Sequence, residues 1–490
     1  MSQPPPQPVL TQSPATLPPQ ALPAATLAVT SAATTVALMT YTAPMVTLGD
    51  TATSLHTSLS AQAWLLNGTP LGLAALLLVA GSLADDYGRR RAFLLGTFAL
   101  GLTTVLAALA PNTLLFTLAR VAQGASSAAI LAASLGLLVH AFPTPAGRVR
   151  ATGVWGAFVS GGIALGPVVA GGVAGFADWR WAYAVLGAAA LVVAALAPKA
   201  LTESRSPRGG RPDLPGALAL GLALVALLAA LTLGRDGWLR APVGVLLLAA
   251  VALLAVFVAV ERRGRTPMID LSLLRRPLFL ASTTGAFFTG LSVIALFSYV
   301  PTLVQHTMGV TPMGTAGLFV VWSGLSFLVA LHARRLAGRV SPRHQLAVGF
   351  VLHALAAATM LGAAGSGHWT RLLPGLVVSG VGSGLLNAAL PLLSVESVPA
   401  GRAAMGAGAN NTARYIGSAA GVALMIAVST SAGTTRHALD QGMNTALTVS
   451  AVLALAAAGL LLTLRERRPA RPGDPARPGD PARPGDPTRR

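Results

Sequence analysis

Apolar residues in this chain do not come and go at the helical period. They run on, as in "LGLAALLLVA" (71–80), until a short polar turn stops them. Such runs recur at about 17–25 residues, the length that crosses a bilayer core as one helix. The pattern predicts about fourteen spanning helices. They lie near 27–48, 62–84, 92–110, 113–141, 149–174, 180–200, 214–233, 241–260, 277–304, 312–333, 345–363, 371–395, 404–430 and 444–465.

Composition agrees with this reading. The chain is 53% hydrophobic and 10% charged, against about 25% charged in a soluble domain. A soluble core cannot absorb that much apolar helix, so the expected fold is an all-α polytopic membrane protein. A net charge of +19 raises the question of nucleic acid. The arginines, however, sit in short clusters between apolar runs, the pattern of cytoplasmic loops, and nucleic-acid binding is not expected. Lys199 is the only lysine, and cysteine is absent. Disulfides and thiolate metal sites are therefore excluded.

The clusters orient the helices. With the N-terminus inside, Arg89–Arg91, Arg148, Arg150, Lys199, Arg205, Arg208, Arg211, the "ERRGR" run (261–265), Arg275, Arg276, Arg334, Arg335, Arg339, Arg343 and Arg402 all fall on one side. The other side holds Arg235, Arg240, Arg371 and Arg436, with Arg180 at a helix end. This is the positive-inside asymmetry, and it needs an even number of spans with both termini cytoplasmic. The expected location is the cell (plasma) membrane.

The chain also echoes itself. "LADDYGRRR" follows the second span, and "LAGRVSPRH" (336–344) follows the tenth. A weak repeat of this kind points to a transporter made of two related helical bundles. The expected division is a six-helix bundle over 27–201, a linker with two inserted helices over 202–265, and a second six-helix bundle over 266–466. A Pro/Gln-rich tail (1–26) and a tail with three "PARPGD" repeats (467–490) flank them, both expected to be disordered and cytoplasmic.

Five stretches carry more than hydropathy. They are "GSLADDYGRRR" (81–91), "RVAQG" (120–124), "GGIALGPVVAGG" (161–172), "WRW" (179–181) and "NNTARYIGSAAG" (410–421). Together they resemble the major facilitator superfamily, and within it the fourteen-span drug:proton antiporter branch. The likeness covers about residues 27 to 466. It implies the major facilitator fold and a secondary active transporter, exporting drug-like or amphipathic small molecules in exchange for protons by alternating access. It further implies a multi-pass monomer, no cofactor, and small molecule, proton and lipid as partners. Two departures stand out. The branch carries an aspartate within the first helix, where "TTVALMTYTAPMVTL" (34–48) has none and Asp50 lies only at the outer end. Ala170 replaces a usual glycine of the antiporter motif.

The first stretch raises the question of why two glycines and an acid accompany three arginines. Gly81 and Gly88 permit a tight turn and close helix approach. Asp85 can pair with Arg89 or face a helix N-terminus. The resemblance implies that Gly81, Asp85, Gly88, Arg89 and Arg90 form a cytoplasmic latch between the halves. A plain anchoring turn would explain the arginines alone. In the antiporter motif, Gly162 and Gly166 share a helix face and allow close contact, Pro167 bends the helix, and Gly171 follows. A bendable gate and an ordinary bundle contact fit that spacing equally.

Arg120 lies about two turns inside the outer end of the fourth span, and Arg414 lies near the middle of the thirteenth. A charge at such depth faces a cavity or a partner, or snorkels to the surface. Either arginine could hold an anionic or polar substrate group, or organise water for proton transfer. The candidate proton carriers are Asp50, which is favoured, Asp85 in the latch, and His353 if it faces the cavity. Tyr41, Asn67, Trp155, Trp322, Asn387 and Asn411 are weaker cavity candidates, each better explained singly by helix packing or the interface belt.

No catalytic triad, carboxylate pair, metal cluster or phosphate-binding glycine loop occurs at a plausible spacing. An enzyme is not expected, and ATP-driven transport is disfavoured. The alternatives are export of one native metabolite, import of a nutrient, a membrane enzyme acting on lipid-linked substrates, and a non-transporting receptor.

Overall fold

The computed structural model describes residues 23–206, 213–234, 237–263, 271–336, 339–431, 433 and 435–464. Residues 1–22, the "PARPGD" repeats, Arg208, Arg211, Arg235, Arg265 and Gly338 lie outside them. The described residues are helical, and no strand occurs among them.

The first pass is α1 (Pro23–Thr42) followed by α2 (Pro44–Ser54). Then come α3 (Leu59–Tyr87), α4 (Arg89–Ala108), α5 (Thr113–Ala141), α6 (Pro145–Phe176) and α7 (Trp179–Ala200). Two further helices, α8 (Leu214–Leu233) and α9 (Ala241–Arg263), precede a second set. That set opens with α10 (Pro277–Phe288), a π-helical segment (Thr289–Ile294) and α11 (Ala295–Met308) in one pass. It continues with α12 (Pro312–His332), α13 (Pro342–Thr359), α14 (Leu373–Glu396), α15 (Ala403–Ser429) and α16 (Arg436–Thr463). Thirteen passes are long and apolar enough to cross a membrane. The fourteenth, α13, carries Arg343, His344, Gln345 and His353 and packs on α14 and α16.

Local chemistry fixes the helix ends. Asn112, Thr144, Asp178, Thr311 and Thr435 each accept a backbone N–H of the helix they precede. Each satisfies one of the donors that a first helical turn leaves free. Pro145, Pro277, Pro312 and Pro342 open helices where no N–H is needed.

Two of the expected spans are not single α-helices. The first breaks at Pro44, which has no N–H to give the carbonyl one turn back. The ninth passes through the π segment. There Thr289 and Ser292 turn their hydroxyls onto the carbonyls of Gly285 and Phe288, and Ser450 of α16 donates to the carbonyl of Ser292. Side chains that insert into the ladder in this way distort it.

In the first bundle α1 packs on α5, α6 and α7, α3 on α5, and α4 on α5 and α7. In the second, α14 joins α12 and α13, while α15 lies on α10, the π segment and α11. The bundles meet along two joins, α3 against α15 and α6 against α12 and α14. The inserted α8 and α9 pack on each other, with α8 also against α3 and α15. Leu248, Val251 and Leu254 of α9 point outward, as a lipid-facing helix requires.

Candidate functional site: the join between the bundles and the cavity it encloses

At one end of the α3–α15 join, charge is buried. Asp85 is inaccessible, at the last turn of α3. Its carboxylate accepts the Arg89 Nε–H at 2.8 Å and the backbone N–H groups of Met405 at 2.9 Å and Ala404 at 3.3 Å. The acid thus caps the N-terminus of α15 in the opposite bundle, where free N–H groups and the helix dipole favour a negative charge. Arg89 also reaches across, donating to the Gly401 carbonyl at 2.7 Å. Asp86 and Arg402 form a second ion pair over the join at 2.6 Å. At Gly81 the backbones touch, and a Cβ there would run into the Ala404 carbonyl.

Gly88 and Arg90 act within the first bundle. Gly88 has φ +127°, and the Glu203 carboxylate fills the space a Cβ would take, 2.8 Å away. Glu203 accepts the backbone N–H groups of Arg90 and Arg91 at 3.1 and 3.3 Å, capping α4. Arg90 donates to the Pro198 carbonyl at the end of α7. The linker after α7 is threaded into this cluster: Arg89 N–H donates to the Ser204 carbonyl and Ser206 N–H to the Asp85 carbonyl. Sequence reasoning missed Glu203 and the Asp86–Arg402 pair. The available signal was an acid amid Arg205, Arg208 and Arg211.

On α6, Gly162 and Gly166 both face α1. A Cβ at Gly162 would come within 2.7 Å of the Thr35 carbonyl, and one at Gly166 within 2.7 Å of the Met39 carbonyl. Pro167 is buried beside them, and Ala170 packs with Ala43, Ala182 and Leu186. Gly171 faces Met313 of the second bundle. Two residues before Gly162, Ser160 lies on the second join. Its hydroxyl is 3.0 Å from Ser326 and accepts from Asn387 at 2.9 Å, while Ser323 donates to its carbonyl at 2.6 Å.

Arg120 neither snorkels nor faces the cavity. It is fully buried, and its Nη1 donates to the Thr40 carbonyl at 2.7 Å and to Gln123 Oε1 at 2.8 Å. Its Nη2 donates to the Tyr41 carbonyl at 3.3 Å. Thr40 is the residue whose helical partner would be the N–H of Pro44. Arg120 supplies the hydrogen bond that proline cannot.

Opposite the Asp85 end, a cavity of about 820 Å³ opens between the bundles. Tyr41, Asp50, Asn67, Tyr299 and Tyr415 are among its walls. Its floor is a smaller recess of about 50 Å³, which shares Tyr41, Met45, Ser298 and Tyr415 with it and adds Phe297, Phe319, Trp322, Asn387 and Arg414. Phe297 and Trp322 stack at 4.4 Å, and Tyr41 meets Tyr415 edge-on at 6.0 Å. Arg414 donates to Asn411 Oδ1 at 2.7 Å and lies 5.6 Å from the Tyr415 ring centre. Asn67 reaches α8 through Thr232 at 3.4 Å.

Two cavity candidates sit elsewhere. Trp155 is buried against α1, with its indole N–H on Thr34 Oγ1 at 2.9 Å. Asn411 lies behind Arg414, with its amide on the Ala407 carbonyl. His353 is enclosed between Ser379 and Ser450, each 2.9 Å from a ring nitrogen. Ser379 also accepts the Trp322 indole N–H, so His353 lies behind the recess wall. Among the described residues no cluster of metal-binding side chains occurs.

Two six-helix bundles, an inserted pair and a central cavity closed at one end make up the molecule, and the family model named Major Facilitator Superfamily matches residues 30–422. The chain belongs to the major facilitator superfamily. It is 32% identical over 412 residues to a puromycin resistance protein of Streptomyces alboniger, covering 82% of each chain. It is 33% identical over 377 residues to a drug efflux pump of Mycobacterium tuberculosis, covering 76% of this chain and 73% of that one. The superfamily fold recurs in a solved proton:xylose symporter, with TM-score 0.64 and 12% identity over 90% of this chain and 95% of that one. A human organic anion transporter aligns with TM-score 0.63 and 18% identity over 91% and 100% of the chains.

Proposed function

We propose that this superfamily member exports drug-like, amphipathic small molecules from the cell in exchange for protons, by alternating access. The observation that carries the reading is the aromatic-walled cavity between the bundles, open at one end and closed at the other by Asp85 on the start of α15. The arginine-rich Asp85 side is the cytoplasmic side, so both termini are cytoplasmic and the molecule stands outward-open in the plasma membrane as a monomer. Relatives named as resistance proteins and efflux pumps support export over import.

In this reading Gly81, Asp85 and Arg89, with Asp86 and Arg402, are the latch. Gly88, Arg90 and Glu203 hold its shape. The Gly162–Gly171 stretch of α6 is the close-packed face on which the first bundle turns. Asp50 is the one acidic residue among those lining the cavity and its floor. It is exposed at the cavity mouth. Arg120 and Arg414 cannot release a proton, because guanidinium stays protonated. Asp50 is therefore the proposed proton carrier.

The test is growth of a pump-deficient cell expressing this chain against a compound panel, with cellular accumulation measured before and after an uncoupler. Raised resistance to a subset, with accumulation restored by the uncoupler, is expected. Unchanged resistance and accumulation across the panel from a well-inserted protein would overturn the reading.

A further inference from the structure

The floor of the cavity carries a positive charge with no acid beside it. Arg414 lines the recess and is 8% exposed. Among the described residues its guanidinium meets neutral groups, donating to Asn411 and lying against Tyr415, and its Nε is buried without a partner. Ser383, also on the recess wall and buried, has a hydroxyl oxygen without a partner. Leaving such groups unpaired at depth is costly. Asp50 lines the larger cavity and not the recess that holds Arg414.

The walls are as informative as the charge. Phe297 stacked on Trp322, with Phe319 edge-on to Trp322, presents flat aromatic surface. Tyr41 and Tyr415 face it from the α1 and α15 sides.

Resting on the export reading, we infer that the cavity takes aromatic organic anions, with the acidic group on the Arg414 guanidinium and the ring system against the Phe297–Trp322 wall. A carboxylate or an ionised phenol supplies the missing acceptor. An organic cation meets an unpaired like charge at the floor and is disfavoured.

Three probes of one shape and different charge test this: naphthoate, naphthylmethanol and naphthylmethylammonium. Binding of each to the purified full-length protein in nanodiscs is measured by calorimetry with no proton gradient imposed. Naphthoate is expected to bind at least about tenfold more tightly than naphthylmethylammonium, a difference of about 1.4 kcal/mol. Arg414→Gln should abolish the preference while leaving naphthylmethanol within about twofold, and Arg414→Lys should keep its sign. Equal or tighter binding of the cation by the unaltered protein overturns the inference. So does an anion preference that survives Arg414→Gln. Should Arg414→Gln fail to fold, the unaltered protein and Arg414→Lys decide alone. Because no gradient is used, an anion preference without proton-coupled efflux would sink the export reading and leave this one standing. Efflux that favours cations would do the reverse.

Discussion

Met405 gives its backbone N–H to Asp85 across the join between the bundles, at 2.9 Å. A carboxylate on one half thus completes the first turn of a helix on the other. The second join is neutral at its centre, where Ser160, Ser326 and Asn387 share hydrogen bonds. Opening the Asp85 end costs charge-assisted contacts. In the proposed orientation these contacts hold the inner end closed and favour the outward-open arrangement.

Asp85→Asn should leave the protein folded and inserted while strongly reducing transport. A charge-assisted contact contributes about 1.5–3 kcal/mol, so the closed-latch population should fall roughly ten- to hundredfold relative to the open one. The chain has no cysteine, so spin labels can be placed at two introduced cysteines flanking the latch. A shift to longer distances is expected. Unchanged distances with normal efflux would reduce this turn to a membrane anchor.

Gly81→Leu should act on the same equilibrium by sterics. The Cβ meets the Ala404 backbone, not a side chain that can swing away. We expect normal expression, loss of the closed latch in the same distance measurement, and loss of efflux. Efflux at the unaltered rate would mean that α3 and α15 do not need to touch.

How much of this was legible in the sequence varied with the kind of contact. Asp85 stood out because an acid between glycines and arginines has no hydropathic reason to be there. Its partner did not, because a backbone N–H 320 residues away leaves no trace in residue type. Arg120 was recognisable as a charge at membrane depth, but the break at Pro44 went unread, since the first span was expected to run unbroken over 27–48. That one mends the other depends on how α5 lies against α1, which no local pattern encodes. Asn411 and Trp155 fail as cavity residues for a similar reason: polarity at depth says that a partner is needed and not which way the side chain turns. Thirteen of the fourteen passes were readable as long apolar runs, α13 with its Arg343, His344, Gln345 and His353 being the weakest, and the π segment was not readable.

Arg120 and Pro44 should be energetically coupled. Arg120→Ala orphans the carbonyls of Thr40 and Tyr41, at about 1–3 kcal/mol for each buried group. Pro44→Ala restores an N–H that can close the turn onto Thr40. The double variant should melt above Arg120→Ala alone in detergent, a non-additivity of the kind that marks contacting residues. Strictly additive shifts in melting temperature would show that Arg120 does not mend the break.

Reporter fusions placed after residues 270 and 466 should both report cytoplasm. The expectation rests on the arginine asymmetry and on an even number of passes. An external signal at either position would invert the assignment of the latch to the inner face.

The central claim is proton-coupled export, and purified protein in liposomes with an entrapped pH-sensitive dye tests it most directly. Under an imposed proton gradient, adding a substrate found in the resistance panel should produce proton movement opposite in direction to substrate movement. Asp50→Asn should abolish the proton movement while substrate still binds. Substrate transport by the unaltered protein with no accompanying proton movement would contradict the account.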